Sequence, residues 1–570
     1  MDNKSIISTL KQTMSLMEIH GENDFKIKSY SNALFNLERF SSPLKELDES
    51  GLAAIDGVGK SIATKIYELA TTGKMDSLDA LIAKTPSGII DMLSVKGFGA
   101  KKIRTVWNEL NIASIDELLN AIEEGQLTKL KGFGQKTQDN IKEAILFQRK
   151  HEGKLLYAEA EPIFKQLEDY FLAELPNANI SVSGSFRRKL EIIESIDFVI
   201  GHDDKQKVLT ALSKIETATY LPKISGPFLW KGRHNISKID IRVNICPKTS
   251  FFKTLFLSTG APAHIYHEVK DGLSFRQLTT KKEFDSEEAI YELAGMKYIL
   301  PELREGLLEF NQDLKQDDLL EMKDLKGILH NHSTYSDGQH TLEEMATHCK
   351  ELGYEYLGIT DHSKSSFHYA NGLYENRIKE QQEEIDELNK KLAPFKIFKG
   401  IECDILPDGT LDYSTETLAT FDFIVISIHS AMSMDMAKAT NRLIKAIENP
   451  FSTILGHATG RLLLKRDGYP IDHKKIIDAC AENNVVIEIN ANPRRLDLDW
   501  RWVSYAMDKK VKLSINPDAH KKEGYADMYY GVCIGRKGGL TKEMNLNSLS
   551  LKEISDYFGQ RKEGALSKAQ

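Results

Sequence analysis

The sequence is short of cysteine, of long apolar runs and of surplus positive charge. Its five cysteines, Cys246, Cys349, Cys403, Cys480 and Cys533, are scattered through 570 residues with no C-x-x-C pair. That excludes a disulfide framework and a thiolate zinc site, and it fits a reducing compartment. No apolar stretch approaches the ~18 residues of a membrane-spanning helix. The opening MDNKSIISTLKQTM lacks both the basic start and the apolar centre of an export signal, so a cytoplasmic protein with no membrane association is expected. With 75 Lys+Arg against 83 Asp+Glu the net charge is −8, which excludes a uniformly basic coat for nucleic acid and leaves only local basic sites. Residues 1–150 hold 20 of each sign, so the acidic surplus belongs to residues 151–570. Only 15 prolines, among 41% hydrophobic and 28% charged residues, exclude a collagen-like or disordered chain.

What is present suits several domains, at roughly 100 to 200 residues each. One short pattern occurs three times before residue 150: Gly57-Val58-Gly59-Lys60, Gly97-Phe98-Gly99-Ala100-Lys101-Lys102 and Gly132-Phe133-Gly134-Gln135-Lys136. Each copy runs into a helix-like segment and has the form of a helix-hairpin-helix. Glycine permits positive φ and removes the Cβ, so consecutive backbone N–H groups at a helix start can close around a phosphate oxygen. Lys60, Lys101, Lys102 and Lys136 stand beside these turns as counter-charges. A single G-x-G equally serves as a cap between packed helices. Three copies with adjacent lysines point to binding of the DNA backbone without sequence preference.

From about residue 150 the pattern becomes mixed α and β. Residues 179–183 read as a strand entering Gly184-Ser185-Phe186-Arg187-Arg188, and 196–200 and 239–243 as further strands. Hairpins, then G-S-x-R-R, then aspartates on two strands resemble the bacterial family X DNA polymerases over residues 1 to about 315, with Pro301-Glu302-Leu303-Arg304-Glu305 at its end. The resemblance implies an α/β nucleotidyltransferase palm in which three carboxylates hold two Mg²⁺ ions. Asp197 and Asp240 match the second and third carboxylates, but Ser195 stands at the first. A neutral hydroxyl is a poor ligand for a hard cation, so weak Mg²⁺ binding at the palm is expected. Bacterial members carry approximately Y-F-T-G-S-x-x-H-N where this chain has Leu257-Ser258-Thr259-Gly260-Ala261-Pro262-Ala263-His264-Ile265, without the aromatic beside the sugar or the nucleotide-contacting asparagine. The expectation is a vestigial polymerase site, with Gly184, Ser185 and Arg188 still able to hold a phosphate. Lys65 falls where members with deoxyribose-phosphate lyase activity place their Schiff-base lysine; a solvated or phosphate-contacting lysine is the ordinary alternative.

The last third carries the densest signal. Short apolar strands run into His330-Asn331-His332 and Asp337, into Asp361-His362, into Glu402, His429 and His457, and into Asp518-Ala519-His520, with helix-length polar segments between them. Parallel βα units bring residues at strand ends to one face of a barrel. Counting Val485–Ile489, the strands number seven, which suggests a distorted (β/α)₇ barrel. This domain resembles the polymerase and histidinol phosphatase (PHP) superfamily. The resemblance implies nine metal ligands, His330, His332, Asp337, His362, Glu402, His429, His457, Asp518 and His520. Six imidazoles and three carboxylates suit three divalent ions, Mn, Zn or Fe more than Mg, and such centres activate water for attack at phosphorus. Asp361 is expected to orient a ligand histidine, and Arg461 to clamp a phosphate, with a surface salt bridge as its alternative. Asn490 and Asn492 are candidate contacts to phosphate or sugar.

The expected layout is an α-helical N-terminal region with the first hairpin (1–80), a fingers-like region with two more (81–150), a palm (151–250), a thumb-like α/β region (251–315) and the PHP barrel (316–570). The function expected is DNA repair, as a nucleoid-associated 3′–5′ exonuclease acting on gapped, nicked or damaged DNA, with abasic-site incision and 3′-phosphate removal within reach of the same metals. The alternatives are an active gap-filling polymerase with exonuclease, a small-molecule phosphatase of histidinol phosphatase type, and a non-catalytic DNA-end binding module.

Overall fold

In the computed structural model, which describes residues 1–569 apart from 41, 281, 312 and 313, the chain forms two compact units, Met1–Glu152 and Gly153–Gln570. The segments 1–80 and 81–150 share the first unit, and palm, thumb and barrel share the second. No described helix is long and apolar enough to cross a membrane.

The first unit is helical. Its hairpins feed helices α1 (Lys60–Thr72), α2 (Ala100–Leu110) and α3 (Gln135–His151). The leading glycines Gly57, Gly97 and Gly132 have φ of 73°, 80° and 88°, the left-handed region that a Cβ disfavours. The second glycines, Gly59, Gly99 and Gly134, are the N-caps, with negative φ and no side-chain cap. Between each pair an apolar residue, Val58, Phe98 or Phe133, is buried and anchors the turn, and Phe98 meets Phe133 edge to face at 6.5 Å.

The second unit opens with a five-stranded sheet: β1 (Asn179–Ser183), β2 (Ser195–Gly201), β3 (Ala218–Tyr220), β4 (Leu229–His234) and β5 (Asp240–Cys246), in the order β1-β2-β5-β4-β3. Only β2 and β5 are parallel, and their register sets Ser195 opposite Asp240 and Asp197 opposite Arg242. Period-2 alternation puts Ser195 and Asp197 on one face and buries Ile196, Phe198 and Ile200 on the other. The following thumb-like region gathers Phe256, Phe275 and Tyr291 around a buried His264.

Seven parallel strands follow: β6 (Gly327–Ile328), β7 (Tyr356–Ile359), β8 (Lys396–Asp404), β9 (Phe423–Ser427), β10 (Ile454–Leu455), β11 (Val486–Asn490) and β12 (Leu513–Asn516). They are neighbours in sequence order, and a bridge between Asn331 and Ala519 brings the two edges together into a nearly closed barrel. Near-continuous apolar runs such as Phe423–Ser427 are what parallel strands buried on both faces require. The helices expected between strands form over Leu342–Glu351 and Glu375–Leu392. Below the strand ends the interior is filled by Phe398, Phe423 and the C-terminal helix α4 (Leu551–Ala569), whose Phe558 stacks on Phe423 at 4.9 Å. A Cβ on Gly400 would lie 2.6 Å from the Phe423 ring, so this packing depends on a missing side chain.

Candidate metal centre

The ends of these strands bring all nine expected metal residues together. Glu402, at the end of β8, is central. Its oxygens lie 2.9 Å from His362 Nδ1 and His457 Nε2, 3.2 Å from His429 Nε2, 3.4 Å from His330 Nε2 and 3.7 Å from His332 Nε2. Asp518 Oδ1 stands 3.1 Å from His332 Nε2, and Asp337 Oδ1 stands 3.3 Å from His520 Nε2 and 3.6 Å from His362 Nε2. Three overlapping groups have their donor atoms within 4.8 Å of one another: His332, Asp337, His362 and His520; His330, His332 and Asp518; His362, Glu402 and His429.

The donor atoms fit divalent ions better than they fit one another. His362 Nδ1 and Glu402 Oε2 lie 2.9 Å apart, yet neither makes a hydrogen bond, and His330 Nε2, His332 Nδ1 and His457 Nδ1 are also buried without partners. Buried polar atoms are ordinarily satisfied, so such a concentration of unpartnered donors on one centre fits a site built to hold cations. Charge agrees. Burial lowers the His330 pKa, but Glu488, Glu402 and Asp518 outweigh it and hold the imidazole well above 6.5. Against burial, Glu402 and Asp404 likewise lift His429 to about 10, whereas His332, buried and facing His520 and His362, falls to about 3. Burial acts against the Glu402 and Asp518 carboxylates, and the surrounding histidines still keep both far below the usual range. Two of the nine residues, His457 (φ 21°) and Asp518 (φ 53°), hold left-handed backbone, a strain that gathers at functional sites. The cluster opens to solvent at Asp337 and His520, whose side chains are 34% and 36% exposed.

Three residues of the surroundings were not singled out from the sequence. Glu488 on β11 accepts from His330 Nδ1 at 2.7 Å, and Asp404, two residues after Glu402 on the same strand face, accepts from His429 Nδ1 at 2.9 Å. Arg495 lies 3.4 Å from Asp518. A glutamate in the apolar run Val485–Ile489, and the Glu402/Asp404 alternation, were the available signals.

Asp361 differs from expectation. Its carboxylate touches no histidine among the described residues; it accepts from the Ser333 and Ser336 backbone and hydroxyl groups and from Gln381, fixing the turn that carries Asp337. Arg461 differs too. Its guanidinium is spent on Asp499 at 2.7 Å and on the carbonyls of Arg495 and Leu496, holding the loop that presents Arg495. Asn490 donates at 3.2 Å to both Glu488 and Asp518, whereas Asn492 only closes a turn on Asn490 and Arg494.

In the palm, Gly184 (φ 63°) must be glycine, since a Cβ would fall 2.2 Å from Asp197 Oδ2. Burial pushes the Asp197 carboxyl up to about 6, although Arg242 at 3.9 Å and the Ser195 hydroxyl pull it down. Asp240 is tied to Arg233 at 2.9 Å. Arg188, expected to hold a phosphate, is instead bound to Glu305 at 2.8 Å and to the Thr259 carbonyl. The buried Lys537 of the barrel completes that knot by donating to Glu305 and, at 3.1 Å, to the carbonyls of Arg188 and Glu302. In the first unit Lys65 lies 5.2 Å from the Tyr30 ring and forms no ion pair among the described residues.

A seven-stranded parallel barrel with histidines and carboxylates massed at its strand ends defines a domain of PHP type, and the family described as PHP domain matches residues 329–492. Helix-hairpin-helix families match residues 1–75 and 89–145. Across 98% of its length the chain is 34% identical to the DNA polymerase/3′-5′ exonuclease PolX of Bacillus subtilis (strain 168), covering 99% of that protein. A probable phosphatase of Thermoanaerobacter sp. (strain X514) is 26% identical over 42% of the chain and 97% of its own length. DNA polymerase lambda of Arabidopsis thaliana is 27% identical over 37% of each. The chain belongs to the family X DNA polymerases that carry a C-terminal PHP domain.

Proposed function

We propose that the chain is a DNA-repair phosphodiesterase, a 3′–5′ exonuclease acting on gapped, nicked or damaged DNA in the nucleoid through its PHP centre, with templated polymerisation lost or weak. The carrying observation is the convergence of nine metal-competent side chains at the strand ends, Glu402 among them, with four of their imidazole nitrogens buried and without partners. In this reading His330, His332, Asp337, His362, Glu402, His429, His457, Asp518 and His520 hold three divalent ions, Mn, Zn or Fe. Those ions would supply the charge that acidifies a water and offsets the phosphate.

The protein's own groups do the rest. Glu488 and Asp404 fix His330 and His429 in the tautomer whose other nitrogen faces the centre. Asp361 sets the Asp337 turn, the exposed Asp337/His520 edge admits the phosphate, and Arg495 stands by Asp518 to meet its charge.

DNA as partner is supported by the hairpins. At Gly59, Gly99 and Gly134 an added Cβ would meet nothing within 4 Å and φ is ordinary, so folding does not demand glycine there. Close approach of an outside backbone does. A disabled palm is supported by Ser195 in place of a carboxylate and by an Arg188 already bound to Glu305. The phosphatase reading draws on the Thermoanaerobacter relative, but it leaves residues 1–315 without a role.

The test is His332→Ala and Asp518→Ala, assayed for Mn²⁺-dependent shortening of a labelled primer and for DNA binding. Loss of shortening by at least a hundredfold with DNA affinity within twofold is expected; unchanged shortening would refute the assignment.

A further inference from the structure

The segment between His362 and the helix at Glu375 presents three exposed aromatic rings beside the metal centre: Phe367, 39% exposed, Tyr369, 60%, and Tyr374, 44%. Their position is fixed from two sides. The Tyr369 hydroxyl lies 2.6 Å from Ser366 Oγ, Ser366 donates to Asp404, and Asp404 holds His429. At the other end Asn371 Nδ2 donates at 3.3 Å to the carbonyls of Tyr335 and Ser336, just before Asp337. The segment therefore borders the same edge at which the cluster opens. Since Ser366 gives its proton to Asp404, the Tyr369 hydroxyl donates to Ser366 and is anchored toward the centre, while the residue stays 60% exposed. Phe367 and Tyr374 meet edge to face at 5.2 Å, which stiffens the platform.

We propose that Tyr369 and Phe367 stack on the nucleobase of the 3′-terminal nucleotide and so position its phosphodiester over the Asp337/His520 edge. This rests on the phosphodiesterase reading above. Flat rings accept any base, since every base offers a π face, so the segment confers a requirement for a nucleobase without choosing among the four. Tyr369 is a positioning residue in this scheme: it makes no bond to the reacting atoms.

The test uses the full chain, Mn²⁺ and single-stranded oligonucleotides that end in an ordinary nucleotide or in a base-free sugar. Tyr369→Ala is expected to raise KM about tenfold on the ordinary end with kcat little changed, while Tyr369→Phe, which keeps the ring, stays within about twofold. On the base-free end wild type and Tyr369→Ala should coincide. A terminal 2-aminopurine, read in EDTA so that no turnover occurs, should lose fluorescence on binding wild type or Tyr369→Phe but not Tyr369→Ala. Equal KM for both ends in the wild type, or equal quenching by Tyr369→Ala, would overturn the stacking. Failure of wild type to shorten any of these substrates would instead refute the phosphodiesterase reading beneath it.

Discussion

Glu488→Gln isolates the support of the metal centre without touching any of its nine donors. Glu488 is wholly buried and accepts four hydrogen bonds. Oε1 takes them from His330 Nδ1 at 2.7 Å and Asn516 Nδ2 at 3.1 Å, and Oε2 from the His457 backbone N–H at 2.8 Å and Asn490 Nδ2 at 3.2 Å. A glutamine has the same shape, but its NH₂ must replace one oxygen and then faces two donors. Whichever way the amide turns, two buried donors lose their acceptor, at about 1–3 kcal/mol each before relaxation. If the lost pair includes His330, the imidazole is no longer held with Nε2 toward Glu402 and Asp518. Loss of such a supporting partner lowers metal affinity by roughly 10–100-fold. Mn²⁺ binding by titration calorimetry on chelator-treated protein, with Tm with and without metal, reads both effects: weaker binding in that range and a Tm lower by several degrees. Wild-type affinity and Tm in Glu488→Gln would refute the argument that this carboxylate sets the His330 tautomer.

Four further outcomes follow from particular contacts. Gly59→Ala, Gly99→Ala and Gly134→Ala should each lower Tm by only about a few degrees, the cost of replacing an N-cap glycine at an open site of ordinary φ, yet weaken DNA binding several-fold in an anisotropy titration; unchanged affinity would exclude close backbone approach. Lys537→Met should destabilise the second unit by about 3 kcal/mol in a denaturant melt, since Glu305 and two carbonyls lose a fully buried donor, and a cost below 1 kcal/mol would contradict that. Ser195→Asp alone should not restore Mg²⁺-dependent primer extension, because Arg188 stays bound to Glu305 and the stretch Leu257 to Ile265 is altered; efficient extension would sink that view. The second unit should lose stability on acidification. His264 is held neutral by burial, its pKa lowered, so below about 6.5 the unfolded chain takes up a proton that the folded one refuses. Glu309, kept low against burial by bonds from His264 and the Gly306 backbone, adds a second loss below about 4.5. His264→Asn, which can still donate to Glu309, should flatten the fall in Tm between pH 7 and 5; an unchanged slope would exclude His264.

The barrel was legible because each functional side chain follows a short apolar run, so strand count, parallel order and the nine clustered residues could all be read from His330 to His520. The hairpins were legible by repetition. Side-chain partnerships across distant segments were not. Arg188 and Glu305 lie far apart in sequence and meet only once the thumb-like region folds back, so an apparent phosphate-binding arginine turned out to be a structural one. Arg461 and Asp361 failed for the same reason: type and spacing named the residue, but the partner that uses its hydrogen bonds sits on another strand end. Glu488 was hidden because it occupies an ordinary interior position of β11, where only its charge is unusual.

The central claim, a working PHP centre beside a disabled palm, is tested most directly by one gel assay. A 5′-labelled primer on a one-nucleotide-gapped duplex is incubated with Mn²⁺ or Mg²⁺, with and without the four deoxynucleotides. Shortening in Mn²⁺ that is indifferent to nucleotides is the predicted result; nucleotide-dependent lengthening without shortening would contradict it.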